Sequence, residues 1–560
     1  MDYKKHIATK LKVEGFTSEE ICSFICLPPN TELGDYALPC FRFAKAMHMS
    51  PVAITEKLKG EFAPDEFIEE VNVASGYLNF RVNRKTFVRD VLSNVLSAGE
   101  KYGSSDEGKG KTICIDYSSV NIAKPFHIGH LSTTVIGAAL YRTYKFLGYN
   151  AVGINHLGDY GTQFGKLIVA FNTWGDRKTV EQGGVRELMR LYVRFHEEAE
   201  KNPALDEAAR HEFKKIEQGD KEANELFEFF KALTLKEVGK IYDRLNVSFD
   251  SYAGESFYND KMQPVVDELR EKGLLKKSEG AEIVDLSEYN MPPCIILRSD
   301  GASLYATRDL AAAIYRKNTY DFAKSLYVVA YQQNLHFKQF FKVLELMGKE
   351  WAKDCVHVAF GMVSMEDGAM STRHGKVVFL EDVLNRAVEK CLAIITEKNP
   401  ELPGKEKIAE QVGTGAVVFG ALSSGRIKDT VFSYDKVLNF DGETGPYVQY
   451  TAARCFSVLA KGGEIGNYEI KDMNKCEYDL ASHISKLNET LSSSLEKYEP
   501  SFITRYAVDL AQLYNKFYFD CKILGEEENV KNFRLALTKA THITLSVCLK
   551  LLGIGVPERM

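Results

Sequence analysis

Residues 111–137 read KTICIDYSSVNIAKPFHIGHLSTTVIG, and this stretch decides how the rest of the 560-residue chain is read. Lys111 to Tyr117 alternates, and with Ile113, Cys114 and Ile115 it is apolar enough for a buried strand. SSVNIAKP is turn-prone. A helical run then begins near His127 and continues through LSTTVIGAALYRTYKFLG to Gly148, a helix stop. Strand, loop and helix in that order open a doubly wound nucleotide-binding fold, whose ligand is expected at the carboxyl end of the strand.

The junction holds His127-Ile128-Gly129-His130. On a helix, two residues three apart share a face. That face would lie at the positive end of the helix dipole, beside unpaired N–H groups that suit phosphate. Gly129 lets an adenine ring approach the backbone, and two imidazoles can donate hydrogen bonds as negative charge builds on a phosphate. The same spacing also suits two core or solvated histidines, and a four-residue match recurs by chance. Its place directly behind a strand and a Pro-containing loop favours the phosphate reading.

Outward from this unit, length allows several domains with sizeable cores. The composition is that of an ordinary globular protein, 45% hydrophobic and 26% charged. A net charge of −6 gives no global basic signature, so a nucleic-acid partner would be held by local patches and shape. Eleven scattered cysteines include one helix-spaced pair, Cys22 and Cys26, with no second pair to complete a zinc site. Reduced thiols, no structural metal and a cytoplasmic location are the expectation. The N-terminus, MDYKKHIATKL, lacks an apolar signal core, and no apolar run of transmembrane length stands out, so no membrane is expected.

Three regions follow. Residues 1–105 read as a small α/β module, with FIEEVNVASGYLNFRVNRKTF alternating like a hairpin around Ser75-Gly76-Tyr77. The charged, Gly/Ser-rich KYGSSDEGKGK is a linker signal. Residues 106–400 read as a Rossmann-like α/β domain with helical insertions. A second strand, Ala151 to Asn155, leads into NHLGDYGTQFG, residues 185–245 are helical and charge-laced, and another short strand is expected before YAGESFYND. PPCIIL, SLYVVAY and CVHVAFGMVSM read as further strands of a mainly parallel sheet. Residues 401–560 are helical in pattern almost throughout, including IAEQVGTGAVVFGALSSGRIKDTVF. AMSTRHGKVV is a second phosphate candidate, with the Ser371 hydroxyl and the cations Arg373 and Lys376.

The order of VNIAKPFHIGHLSTTVIG, NHLGDYGTQFG, LYATRDLAAA, YQQNLHF, GPYVQY and the terminal PERM resembles the arginyl branch of the class I aminoacyl-tRNA synthetases. The resemblance covers the chain from about residue 110 onward; the N-terminal module matches that family's additional domain, a tRNA-elbow contact, more loosely. It implies ATP-dependent activation of L-arginine and transfer to tRNA(Arg), with ATP as its Mg2+ complex, by an expected monomer. It implies His127 and His130 at the α-phosphate, with Gly129 and Phe126 at the nucleotide. The family's Lys-Met-Ser-Lys-Ser loop corresponds to Ala369, Met370, Ser371, Thr372 and Arg373, so its second lysine is missing here. Lys124, just before the histidine tetrad, stands where the family is thought to supply a substitute. For arginine, the resemblance implies Asp309 on the guanidinium with Glu255 as a second carboxylate. Tyr305 would line the pocket, Gln333 and Asn121 would hold the head group, and Ser119 and His156 would also bind arginine. Tyr447, Gln449, Tyr450 and Arg454 would face tRNA from a helical anticodon-binding domain.

The substrate side is also sensible chemically. A guanidinium is always charged and fork-shaped, so its pocket needs carboxylates in bidentate reach. Two other readings stay open at this point. One is a nucleotidyltransferase that activates a carboxylate without tRNA; the other is a catalytically inactive, synthetase-like RNA-binding protein.

Overall fold

The computed structural model describes residues 3–28, 30, 33–298, 305–365 and 378–560, which divide into two compact units. The first comprises Met1–Tyr102, Val458–Lys486 and Gln512–Thr544. Its antiparallel sheet places the strand Tyr77–Val82 between Tyr36–Pro39 and Ile68–Ala74. The hairpin expected around Ser75 is present. Ser75 and Gly76 take φ of 49° and 81°, the left-handed pair that matches the twist of a two-residue hairpin turn. Part of the helical C-terminal region belongs to this same unit. Tyr478 donates to Asp35 at 3.1 Å, and Arg534 pairs with the buried Glu477 at 2.8 Å.

The second unit comprises Gly103–Ser457, Leu487–Ala511 and Leu545–Met560. Its centre is a four-stranded parallel sheet in the order Cys355–His357, Lys324–Tyr327, Thr112–Asp116, Asn150–Ile154. Ile113, Cys114 and Ile115 are buried, as a strand covered on both faces requires. The helix Leu131–Phe146 is buried along almost its whole length. Its Gly137 lies against Tyr117, where a Cβ would strike the ring. Thr112–Asp116 is the first strand of this sheet in the chain, and the next two, Asn150–Ile154 and Lys324–Tyr327, lie on opposite sides of it, so its carboxyl end is the switch point at which such sheets bind ligands.

Three expectations about strands need correction. Residues 275–297 form a separate antiparallel sheet of Leu275–Ser278, Ala281–Val284 and Cys294–Leu297, not further strands of the parallel sheet. A short alternating run cannot by itself reveal which partner it will pair with. The segment before YAGES contributes only an isolated bridge, Ile154 to Ser251. Finally, CVHVAFGMVSM is two strands. The second, Val363–Met365, pairs with Thr430–Phe432, a strand inside a stretch that read as helical. The helix there ends at Ser423, and SGRIKD carries the chain into the strand.

Residues 177–244 form three helices, Arg177–Ala199, Ala204–Glu217 and Lys221–Arg244, inserted between sheet strands. Among the described residues one helix, Glu528–Leu552, is long and apolar enough by composition to cross a bilayer, and 72% of its apolar window is buried. Its apolar surface is therefore spent on packing.

Candidate active site

The loop after the switch strand is strained and pinned. Ser118, Ser119 and Ala123 all take positive φ, 71°, 47° and 60°, which costs free energy at residues other than glycine. Side chains from distant helices hold it. Thr133 Oγ1 accepts from the Ser118 N–H at 3.0 Å, Tyr242 meets the Ser118 hydroxyl at 2.8 Å, and Thr234 Oγ1 accepts from the Ala123 N–H at 3.1 Å. Asn121 bridges to Gly158 in parallel register, so closely that a Cβ at Gly158 would run into Asn121 Oδ1. Glycine is the residue that permits this approach.

The chain then enters a 3-10 turn, Ile128–His130, ahead of the helix. The two histidines form a reciprocal cap. His127 Nδ1 accepts from the Gly129 N–H at 3.1 Å, and His130 Nδ1 accepts from the His127 N–H at 3.2 Å. Their rings lie 4.0 Å apart. An Nδ1 that accepts must be unprotonated, so both rings are held as the Nε2–H tautomer. Burial keeps them neutral: it lowers His127, and with the neighbouring His127 it pushes His130 down to about 3. The result is two uncharged Nε2–H donors at the crest of the sheet. Phe126 is buried and stacks on His130 at 5.1 Å.

Lys124 lines a cavity of about 170 Å³ with Phe126, Arg186, Glu237, Lys240 and Phe379. Burial lowers its pKa, while the charge of Glu255 raises it. Lys124 also acts electrostatically on His130, so the ammonium, the imidazoles and Glu255 share one region. Met370, Ser371, Arg373 and Lys376 lie outside the described residues. Both flanks of their segment are described. Val363–Met365 pairs with Thr430–Phe432, and on the far side Val378 O accepts from the Ile128 N–H at 3.1 Å while Phe126 O accepts from Leu380 N–H at 2.9 Å.

Beside this turn lies a knot of opposite charges. Asp116, at the end of the switch strand, pairs with Arg316 at 2.8 Å and accepts from Ser119 Oγ at 2.8 Å. Arg316 is 1% exposed, and His156 Nδ1 lies 3.4 Å from its guanidinium. Asp159 is 1% exposed and accepts from Lys231 at 2.7 Å and from the Ser256 N–H and hydroxyl at 2.9 and 2.8 Å. Those bonds set the YAGES segment and hence Glu255. Burial, with Asp309 and Asp159 nearby, raises Glu255 to about 7 against the opposing effect of Arg308. Arg308 is 3.9 Å from Glu255, with its guanidinium 4.4 Å from the Tyr160 ring. Asp309, four residues into the helix Tyr305–Tyr320, meets His336 Nε2 at 2.6 Å.

Sequence reasoning singled out Asp309 and Glu255, and the fold brings them into electrostatic contact with each other, Asp309 also with His156 and Glu255 also with Lys124. Tyr305 is 69% exposed at the first turn of its helix, and Gln333 is exposed at the end of a 3-10 turn. Arg308, Arg316 and His336 were missed. Arg308 and His336 lie inside the quoted runs LYATRDLAAA and YQQNLHF, but nothing in spacing alone says that a cation will face a buried carboxylate.

In the helix Gly445–Gly462, Tyr450 is 40% exposed and carries the Arg454 guanidinium 4.8 Å over its ring, while Tyr447 is half-buried. Gln449 is a correction. It is fully buried and donates to Gln411 O and Gly555 O at 3.2 and 2.8 Å, so its amide ties the helix to its neighbours.

A parallel sheet with this histidine-capped turn at its switch point defines the catalytic domain of a class I tRNA synthetase. The family model for "tRNA synthetases class I (R), catalytic domain" matches residues 91–434, that for the DALR anticodon binding domain matches 448–560, and that for the arginyl tRNA synthetase N terminal domain matches 1–82. The chain belongs to the arginyl-tRNA synthetase family. Arginine–tRNA ligases of Halothermothrix orenii and Clostridioides difficile are 51% and 52% identical to it, each alignment covering 100% of both chains. Among solved structures, Thermus thermophilus arginyl-tRNA synthetase superposes with a TM-score of 0.80 at 26% identity, covering 96% of each chain.

Proposed function

We infer that this chain is an arginine–tRNA ligase. It activates L-arginine with ATP to arginyl-adenylate and then transfers the arginyl group to the 3′ end of its tRNA. In the first step the arginine carboxylate forms a bond to the α-phosphorus, the bond between that phosphorus and the bridging oxygen breaks, and pyrophosphate leaves. ATP enters as its magnesium complex, which is a substrate. His127 and His130 donate Nε2–H to the α-phosphate oxygens as charge builds there, and because both rings are neutral and capped they need no reorganisation to do so. Lys124 supplies the positive charge that the family's second loop lysine would provide, assisted by Arg373 and Lys376. Gly129 and Phe126 border the nucleotide, with Met370 and Ser371 contributed by the segment that corresponds to the family's second motif.

Asp309 and Glu255 take the guanidinium, and Tyr305 and His156 line its pocket. Asn121, Ser119 and Gln333 orient the amino-acid head group so that its carboxylate reaches phosphorus. The observation that carries this reading is that two fixed imidazole donors and a sheltered cluster of charged side chains around Glu255 and Asp309 share one region through Lys124. Tyr447, Tyr450 and Arg454 contact tRNA through stacking and phosphate pairing, and the N-terminal module touches its elbow. We read the enzyme as a cytoplasmic monomer with three functional domains, about 1–105, 106–400 and 401–560. Pyrophosphate exchange and charging assays test the activity: arginine must be the amino acid exchanged and tRNA(Arg) the acceptor. Absence of charging at saturating ATP would return the chain to the RNA-binding reading, and light scattering checks the monomer.

A further inference from the structure

Asp309 does not stand alone in the pocket, and its partner has no part in the reading above. His336, in the first turn of the helix Asn334–Leu346, places Nε2 at 2.6 Å from Asp309 Oδ2. The two side chains are 25% and 29% exposed, sheltered but reachable by a small solute. On its own helix His336 contacts the rings of Phe337 at 5.4 Å and Phe340 at 6.2 Å, which hold the imidazole toward Asp309. From neighbouring elements the titratable groups around the pair are His357, at the end of the strand Cys355–His357, Cys294, near Asp309 on the strand Cys294–Leu297, and His156, which feels the Asp309 charge from the loop after Asn150–Ile154; Glu255 and Asp309 also act on each other from the YAGES segment.

Resting on the assignment of Asp309 to the guanidinium, we infer that His336 is a positioning residue for arginine selection: it holds Asp309 Oδ2, leaves Oδ1 for the substrate, and gives up its positive charge when arginine enters. The electrostatics follow from counting charges. Burial alone would lower the His336 pKa, but the hydrogen bond and charge of Asp309 outweigh it and raise it above the ordinary histidine value. Near neutral pH the free pocket therefore carries a substantial population of an imidazolium–carboxylate pair. A guanidinium placed on the same carboxylate would face that imidazolium, and two cations on one anion repel. Loss of the Nδ1 proton removes the repulsion, while the Nε2–H continues to orient Oδ2. Arginine binding and His336 deprotonation are thus linked, so arginine affinity rises with pH through the His336 pKa.

Calorimetry of L-arginine binding to the full chain, in buffers of different ionisation heat between pH 6 and 8.5, reads the linkage as protons released. His336→Gln keeps an N–H donor in place of Nε2 but cannot titrate. It should bind arginine within about threefold of wild type at pH 8, release fewer protons near pH 7, and lose less affinity than wild type at pH 6. His336→Ala lacks the donor and should weaken arginine about tenfold at pH 8. Equal proton release by His336→Gln and wild type overturns the inference, as does wild-type affinity in His336→Ala. In the unmutated enzyme, the His336 ring resonance followed by NMR should titrate at lower pH with arginine bound, and an unmoved midpoint would also overturn it. Asp309→Asn separates the two layers: unchanged arginine affinity there refutes the guanidinium assignment itself, whereas a large loss with a silent His336→Gln refutes only the role of His336.

Discussion

The two ends of the candidate site are built in opposite ways. The proposed phosphate end is local: His127 and His130 cap each other through a single turn, and their donors come from four consecutive residues. The proposed amino-acid end is assembled from afar, with Asp116, His156 and Glu255 arriving from three separate segments and Asp309 and Arg316 from a fourth, the helix Tyr305–Tyr320. The first end is neutral by burial, whereas the second keeps charge in a sheltered place by pairing almost every carboxylate with a cation or an N–H donor. The physical reason differs accordingly. A developing phosphate charge is stabilised by fixed dipoles that cost nothing to reorganise. A permanently charged guanidinium is selected by opposite charge whose own desolvation has already been met.

The contrast can be broken experimentally, and the largest effect is expected at the local end. His130→Ala should lower the activation rate by roughly 10²–10³-fold with little change in arginine affinity. Because burial keeps these rings neutral, with His130 pushed down to about 3, the activation rate should show no inflection from His130 between pH 5 and 8. An inflection in that range that disappears in His130→Ala would mean the imidazole acts as a charged group.

Asp309→Asn tests the assembled end. It should weaken arginine by about 2–3 kcal/mol, roughly 30–150-fold, and leave the KM for ATP unchanged. Equal losses for both substrates would move Asp309 out of the pocket. Lys124→Ala lies between the two ends and should reduce activation at least about tenfold, with arginine affinity nearly unchanged; turnover near wild type would defeat its role as the substitute lysine.

A smaller effect is expected from pH. Glu255 is raised to about 7, so in the free enzyme its contribution to stability is full below about pH 4.5, the ordinary range, and is lost as pH rises through 7. With Glu255 as the proposed second carboxylate, arginine should favour its ionised form, so affinity should rise with pH through the same window, and Glu255→Gln should flatten both dependences in melting curves and arginine titrations. The smallest change belongs to the anticodon-domain surface. Tyr450→Ala should raise the KM for tRNA severalfold without altering arginine binding, and a rise in the arginine KM would instead assign Tyr450 to packing.

How far the site could be read from residues follows the same division. Lys124, His127 and His130 are contiguous with a strand signal, and their geometry is a matter of one turn. Asp309 was singled out because a guanidinium demands a carboxylate, while its observed partner His336 was passed over in favour of Gln333, three residues earlier in the same run. Gln449 looked like a surface amide and proved to be a buried tie between helix and backbone carbonyls, because a side chain's direction depends on which face its helix buries. The strand Thr430–Phe432 was hidden inside a helical pattern because three residues carry no period of their own, and Val363–Met365 is what makes them a strand.

Local pattern alone determined the strand–turn–helix unit at 111–147, the Ser75–Gly76 hairpin and the helical character of most of the C-terminal region, since each depends on short-range sterics and on the spacing of apolar residues. Tertiary structure alone decided that residues 275–297 form a separate sheet, that C-terminal helices share a compact unit with the N-terminal module, and that Glu255, Arg308, Asp309 and His336 meet. Those outcomes turn on contacts between distant segments, and burial, which sets the charge of Glu255 and His130 alike, exists only once the segments have come together.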